Sequence, residues 1–338
     1  MNLHDTDRLM ELITKVTLPD IPRKITYKDS LLLLGSCFAT NIGESLKKAK
    51  FQTLANPYGV IYNPASIHAV VERALRKRAY KEVDLFMSGG LFHSYDHHSS
   101  YSLPDSRKML RNMNDARKET AAYLTVGNWM VITFGTAYVY KLKSGGRVVA
   151  NCHKQPEALF DRSRMSVDEI VSLWLPLIQK IRKVNPYMNF LFTVSPIRHS
   201  KDGLHENQLS KATLLLAIEA LKEQTEGVFY FPAYEIMMDE LRDYRFYAED
   251  MTHPSPMAVK YIWERFRFCL MDEDTRQAIH EWQIIGQAIA HRPFNPESEQ
   301  YNTFLSQTLL KIEEHKRKFP YFDVADETEQ IKARISSR

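Results

Sequence analysis

Cysteine is scarce in this chain. Three thiols, Cys37, Cys152 and Cys269, are spread over 338 residues. An odd, sparse count fits a reducing compartment better than a disulfide scaffold, and the lack of any C-x-x-C pair argues against structural zinc. Charge of one sign is lacking as well. Lys+Arg 45 against Asp+Glu 41 leaves +4, evenly spread. Without a basic stripe interleaved with aromatics, nucleic acid is not an expected partner. Long apolar runs are missing too. Runs such as residues 31–34 and 129–132 are strand-sized, so no membrane span is expected. The start, MNLHDTDRLM, is acidic early and has no apolar core of signal-peptide length, so the expected location is the cytoplasm. No internal repeat or low-complexity tract is present.

What remains is a normal globular composition. Hydrophobic residues make up 44% and charged residues 25%, enough for a real core in one large domain or two. A short amphipathic piece is expected around Leu9, Leu12 and Ile13. The run Leu31-Leu32-Leu33-Leu34 stops at Gly35, and Phe38, Ile42 and Leu46 then recur at helical spacing. Pro64 opens a second helix. Residues 86–106 read as irregular, 112–124 as helix and 129–134 as strand, with 138–142 continuing it or pairing in a hairpin. Ser166-Val167-Asp168-Glu169 is a capping box. Residues 189–194 read as a buried strand. A helix over 207–224 follows, with Leu209, Ala212, Leu216 and Ala220 on one side, and then a short strand at 228–231 and a helix from about 256. Strands alternating with helices predict a three-layer α/β/α fold with a mostly parallel sheet. Beyond 273 only helices are expected, at 276–291 and 303–318, followed by a charged, frayed end. The expected division is 1–275 for the sheet-bearing domain and 276–338 for a helical C-terminal extension packed on it or projecting from it.

Two motifs carry chemistry. Gly35-Ser36-Cys37 falls at the carboxyl end of a predicted strand and the start of a helix, where free N–H groups favour a thiolate or an oxyanion. The plainer reading is a Ser36 cap beside a small buried Cys37. In Asp250-Met251-Thr252-His253, the carboxylate can hold one imidazole nitrogen and leave the other as a base. The plainer reading is a turn Asp and a capping His. His93, Asp96, His97 and His98 suggest a hydrogen-bonded loop or a substrate-facing wall rather than a metal site. Adjacency orients Cys152 and His153 poorly as a thiol–imidazole pair. Arg198 and His199 follow the 189–194 strand. Arg198 suits a substrate carboxylate or phosphate, or else an ion pair in the wall. Tyr244, Phe246 and Tyr247 read as core.

Together these stretches resemble the SGNH (GDSL-type) hydrolase superfamily. Within it they resemble the GSCFA domain family, named for the run seen here as Gly35-Ser36-Cys37-Phe38-Ala39. Asn56-Pro57-Tyr58-Gly59, Ser195-Pro196-Ile197-Arg198-His199, Ser210-Lys211-Ala212 and Asp250-Met251-Thr252-His253-Pro254 fit the family in order, over residues 20–270. The resemblance implies a flavodoxin-like sheet, a nucleophile after the first strand and a D-x-x-H pair before the last sheet-packing helix. It also implies oxyanion donors from a glycine after the second strand and an asparagine after the third. Asp250 and His253 carry over directly, and Gly59 is the glycine. At the G-x-N position the chain has Gly135-Thr136-Ala137, leaving Thr136 through its hydroxyl, or Asn151 from the next segment. Register over G-D-S puts Cys37 in the serine's place, with Ser36 the alternative. Arg198, His199 and His98 are the expected substrate-binding residues. The implied activity is hydrolysis or transfer of acyl esters, on O-acylated glycans or small molecules, with no cofactor and no metal. The rival expectation is a non-catalytic ligand-binding or assembly module on the same fold. In either case the C-terminal helices offer a surface for a homodimer.

Overall fold

The computed structural model describes residues 13–336. The amphipathic piece expected around Leu9 and Leu12 lies outside them. In chain order the first elements are β1 (Ser30–Gly35), α1 (Cys37–Lys48), β2 (Gln52–Ala55), α2 (Pro64–Leu75), a hairpin of β3 (Phe86–Ser88) and β4 (Leu91–His93), and α3 (Ser106–Val126). Next come β5 (Trp129–Phe134), β6 (Tyr138–Leu142), β7 (Val148–Val149), β8 (Phe160–Arg164), α4 (Val167–Val184), β9 (Asn189–Val194) and α5 (Leu204–Gln224). The chain closes with β10 (Val228–Tyr230), the single turn α6 (Ala233–Glu235), α7 (Pro256–Leu270), α8 (Glu273–Ala290), α9 (Glu299–Lys318) and α10 (Ala325–Ser336).

The main sheet has the order β2-β1-β5-β9-β10, and every neighbouring pair is parallel. Counted along the chain its strands stand 2-1-3-4-5, the flavodoxin-like order, so the direction of winding reverses between β1 and β5. The apolar strands are buried on both faces because their alternate residues serve two cores. Leu31, Leu33, Trp129, Val131 and Leu191 pack with α1 and α7. Leu32, Leu34, Met130, Ile132, Phe190 and Phe192 pack with α2, α3, α4 and α5. A fully buried leucine contributes on the order of 1.5–3 kcal/mol, so the four leucines of β1 anchor the layer that presents Gly35. The fold is the expected three-layer α/β/α sandwich with C-terminal helices.

Several local readings are corrected. The helix expected from 112 begins at Ser106, because the Asp105 carboxylate accepts the Lys108 N–H at 3.0 Å and caps it. Strand β6 does not continue β5; it pairs with β7 in the hairpin that was the other expectation, and β8 adds on its far edge. It is the middle of a separate antiparallel sheet, β7-β6-β8. Tyr244 is 74% exposed rather than core, and Phe246 and Tyr247 are only half-buried. Through residue 336 the charged end is helical rather than frayed, and Ile331 of α10 is fully buried. Helices α8, α9 and α10 share one apolar cluster with α1 and α7. The Trp282 ring N–H donates to the Lys48 carbonyl at the end of α1, at 3.1 Å. Among the described residues no helix is long and apolar enough to cross a membrane.

Candidate active site

The site begins where β1 runs out. Gly35 has φ +140°, and a Cβ there would come within 2.1 Å of the Thr133 carbonyl oxygen on β5. Only glycine lets the two strand tips approach this closely. Ser36 then leaves the sheet and caps α1, its Oγ accepting the Phe38 N–H at 3.3 Å. Ser36 is 1% exposed. Cys37 is the first helical residue and is half-buried. Burial pushes its thiol up. The N–H groups of Cys37 and Phe38 and the Lys211 ammonium pull it down, and the Asp250 carboxylate pushes it up.

The neighbouring loops are tied to this tip. Asn56 accepts the Gly35 N–H on its side-chain oxygen at 2.9 Å and donates its amide to Thr40 at 2.8 Å. Ile61 donates its N–H to the Gly35 carbonyl at 3.0 Å. The Tyr62 carbonyl accepts from Gly135 and Thr136, at 2.7 and 3.2 Å. Lys211, on α5, crosses beneath. Its Nζ donates to the Gly135 carbonyl at 2.7 Å and the Ser195 carbonyl at 2.8 Å, bracing the ends of β5 and β9. Lys211 is 1% exposed, and burial pushes its ammonium down to about 7, against a pull upward from Cys37.

The fourth side of the site is the segment 250–253. One Asp250 oxygen accepts the backbone N–H groups of Thr252 and His253, both at 2.9 Å. The other accepts from His253 Nδ1 at 2.5 Å. Those three donors, the two backbone N–H groups first, hold the carboxylate far below its usual range. With Nδ1 committed, Nε2 is the nitrogen free for a ligand. A bond from the Arg198 N–H to the Thr252 carbonyl, 3.3 Å, joins this segment to the end of β9.

The result is one cleft of about 430 Å³ lined by Ser36, Cys37, Tyr62, Thr136, Arg198, His199 and His253, among others. Among the described residues no hydrogen bond links His253 to Cys37 or Ser36. His199 is pushed down to about 4, chiefly by burial and then by the Lys211 and His253 charges. Arg198 makes its one side-chain hydrogen bond to the Met238 sulfur, at 3.2 Å, and no carboxylate pairs with it among the described residues. The Thr136 hydroxyl accepts the Tyr138 N–H at 3.1 Å and meets Ser210 Oγ at 3.1 Å. When Ser210 donates in that pair, the Thr136 proton is free for the cleft.

Three expected site residues are elsewhere. Gly59 donates its N–H to the Asn56 carbonyl at 2.8 Å, so it offers the cleft no donor. Its glycine is required by φ +73° and by His98 Cβ, 2.3 Å from where its own Cβ would stand. His98 packs there and accepts the Ser100 N–H, away from the cleft. Asn151 accepts the His153 N–H at 2.8 Å and lines an adjoining cavity of about 400 Å³. The other histidines of the 93–98 segment are parted. His97 is fully buried against the rings of Tyr58, Tyr80 and Tyr101, while Asp96 pairs with Arg147 at 2.6 Å.

Lys211 and Tyr62 escaped the sequence reading of the site. Lys211 escaped because the wrong face of α5 was taken as apolar. Ala212 and Leu216 are exposed. The buried stripe is Leu214, Ala217, Ile218 and Leu221, and it continues backward through Lys211, Ser210 and Asn207. Extending a true apolar stripe by three- and four-residue steps onto polar residues was the available signal. Tyr62 carried none, since its role rests on contacts distant in sequence.

Residues 30–266 match the GSCFA family, and residues 282–337 match the C-terminal domain of GSCFA domain proteins. No curated protein matches the chain in sequence. Among solved structures, a family two carbohydrate esterase from Clostridium thermocellum, in complex with cellohexaose, is similar at 11% identity and a TM-score of 0.34. An acetyl xylan esterase from the rumen bacterium Butyrivibrio proteoclasticus is similar at 12% identity and a TM-score of 0.35. Each likeness covers 75% of this chain, which spans 64% and 65% of the two esterase chains respectively. The family match takes in the whole sheet, the strand-tip turn and the D-x-x-H segment, and a second match covers the helices behind them: the chain belongs to the GSCFA family.

Proposed function

We propose that this protein is an acyl-ester hydrolase or acyltransferase working through Cys37, His253 and Asp250, in the manner the SGNH resemblance implies. The observation that carries the reading is the meeting, in one cleft, of the first residue of α1 with an imidazole held by a carboxylate. His253 Nε2 takes the Cys37 proton, and the sulfur attacks the acyl carbon. The developing oxyanion is met by the Cys37 N–H, which as the first of its helix has no intrahelical partner, and by the Thr136 hydroxyl. The ester C–O bond breaks, and His253 returns the proton to the departing alcohol. Water, or the hydroxyl of an acceptor, then gives its proton to His253 and cleaves the thioester, restoring the thiol.

The substrate side is read from the walls. The adjoining cavity shares Tyr62, Thr136, Tyr138, Tyr140 and Lys201 with the cleft, which gives room for a chain longer than one sugar. Arg198, with no carboxylate of its own, suits an acyl ester that also carries a carboxylate or phosphate. The test is release of p-nitrophenol from short esters by the full chain, compared with His253→Ala and Cys37→Ala. Loss of turnover in both variants supports the reading, and equal rates in all three reject it. One observation favours a binding module instead: His253 makes no hydrogen bond to Cys37 or Ser36. That reading requires wild-type protein with no turnover of any ester whose binding protects Cys37 from alkylation.

A further inference from the structure

We propose that the buried ammonium of Lys211, bonded to the Gly135 and Ser195 carbonyls behind the cleft, is the positioning counter-charge that stabilises a Cys37 thiolate. This rests on Cys37 being the ionising group of the site. The argument starts from what Lys211 lacks. An ammonium taken fully out of water is costly unless a negative charge answers it. No carboxylate pairs with Lys211 among the described residues. Two of its three N–H donors go to the Gly135 and Ser195 carbonyls, which satisfy hydrogen bonds and leave the charge unanswered. Ser195, whose carbonyl Lys211 holds, lines the cleft together with Cys37, and Cys37 is the group whose ionisation favours the charged lysine. The coupling is mutual, because Lys211 in turn pulls the Cys37 thiol down. The lysine therefore costs least when the thiol is ionised, and the thiol ionises most readily when the lysine is charged.

The other charges around the pair come from every neighbouring element. His199 and Arg198 follow β9. Tyr234 of α6 presents its ring 5.6 Å from the Lys211 nitrogen. Asp250 opposes the thiolate, and His253 lines the same cleft. Burial alone drives both members toward neutrality, Lys211 downward and Cys37 upward. Their mutual attraction opposes that drive. A bound acyl group that excludes water strengthens it further.

The experiment is alkylation of the full chain by iodoacetamide across pH 5 to 10, followed at the Cys37 peptide by mass spectrometry, with Cys152 as the internal reference. Lys211→Gln keeps an amide able to reach the strand-end carbonyls and removes the charge. It is expected to move the Cys37 midpoint up by about one pH unit, roughly a tenfold slower alkylation at pH 7, with Cys152 unmoved. Lys211→Arg is expected to keep the wild-type midpoint. A folded Lys211→Gln protein with an unmoved Cys37 midpoint overturns the proposal. Should Lys211→Gln fail to fold, the reciprocal measurement decides. In Cys37→Ser protein, the Lys211 side-chain nitrogen followed by NMR is expected to titrate lower than in wild type, and an unchanged titration overturns the pairing. The two readings fail separately. Absence of ester turnover with a displaced Cys37 midpoint rejects the hydrolase and keeps the ion pair. Turnover with an unmoved midpoint rejects only the ion pair.

Discussion

His253 gives Asp250 two separate donors, its backbone N–H at 2.9 Å and its ring Nδ1 at 2.5 Å. A carboxylate three residues back in the chain therefore fixes the place of the imidazole and also its tautomer. Asp250→Asn keeps the shape and turns a donor toward Nδ1, so the ring loses the tautomer that leaves Nε2 basic. The expected outcome is a fall in ester turnover of about a hundredfold or more with little change in thermal stability. Steady-state kinetics beside a melting curve checks it, and unchanged kcat would remove Asp250 from the mechanism.

Ser36 and Cys37 stand side by side with different duties. Ser36 is spent on capping α1, while Cys37 faces the cleft. Cys37→Ala is expected to abolish turnover at full stability. Ser36→Ala is expected to keep turnover and lose about 1 kcal/mol in urea denaturation, the usual cost of a missing cap. The opposite pattern would move the nucleophile to Ser36.

Arg198 separates binding from chemistry. Arg198→Ala is expected to raise KM for a p-nitrophenyl ester bearing a free carboxylate by about tenfold and to leave a neutral ester almost unaffected, as loss of one charge-assisted contact requires. Equal effects on both esters would assign Arg198 to the cleft wall.

Two neutral imidazoles make the fold sensitive to acid. Burial pushes His97 down to about 3, with the Arg73 charge next in weight, and His199 down to about 4, both from 6.5. The unfolded chain therefore binds more protons than the folded one below 6.5. The stability these two groups contribute is complete above 6.5, falls as pH drops below it, and is lost through about 4 for His199 and about 3 for His97. Urea midpoints at constant salt between pH 7 and 4 should fall steadily, and His199→Gln should flatten the upper part of that slope. A parallel slope in the variant would be evidence against the His199 share.

Ile331 tests the C-terminal packing. It is fully buried in a helix otherwise rich in charge. Ile331→Ala is expected to cost about 2–5 kcal/mol, the range for deleting a buried branched side chain. A midpoint shift of less than a quarter of that would mean α10 contributes little.

The legible parts of the sequence were those whose cause is local. Four consecutive leucines announce a strand covered on both faces, and a glycine at their end announces a sharp exit. Asp250 and His253 are legible because three residues suffice to bring carboxylate and ring together. Thr136 came from the resemblance, as the residue at the expected G-x-N position, and it lines the cleft. Gly59 and Asn151 were misplaced for the complementary reason. Whether a backbone N–H or a side-chain amide is free depends on partners, here Asn56 and His153, that no local pattern names. Lys211 shows the same limit from another direction. Hydrophobic periodicity points to the core only while core positions are apolar, and α5 breaks that rule where it passes beneath the site. The helical C-terminus misled because Ile331 and Ile335 stand among charges, and their burial needs a groove formed by other helices.

Helix α1 carries Cys37 at one end and, at the other, the Lys48 carbonyl that Trp282 grips. Twelve residues make a rod about 18 Å long. The far helices are therefore fastened to the same stiff lever whose tip holds the thiol. A chain cut after residue 275 would bare the rear of that lever, and reactivity at the cleft would report on events at the opposite pole of the molecule.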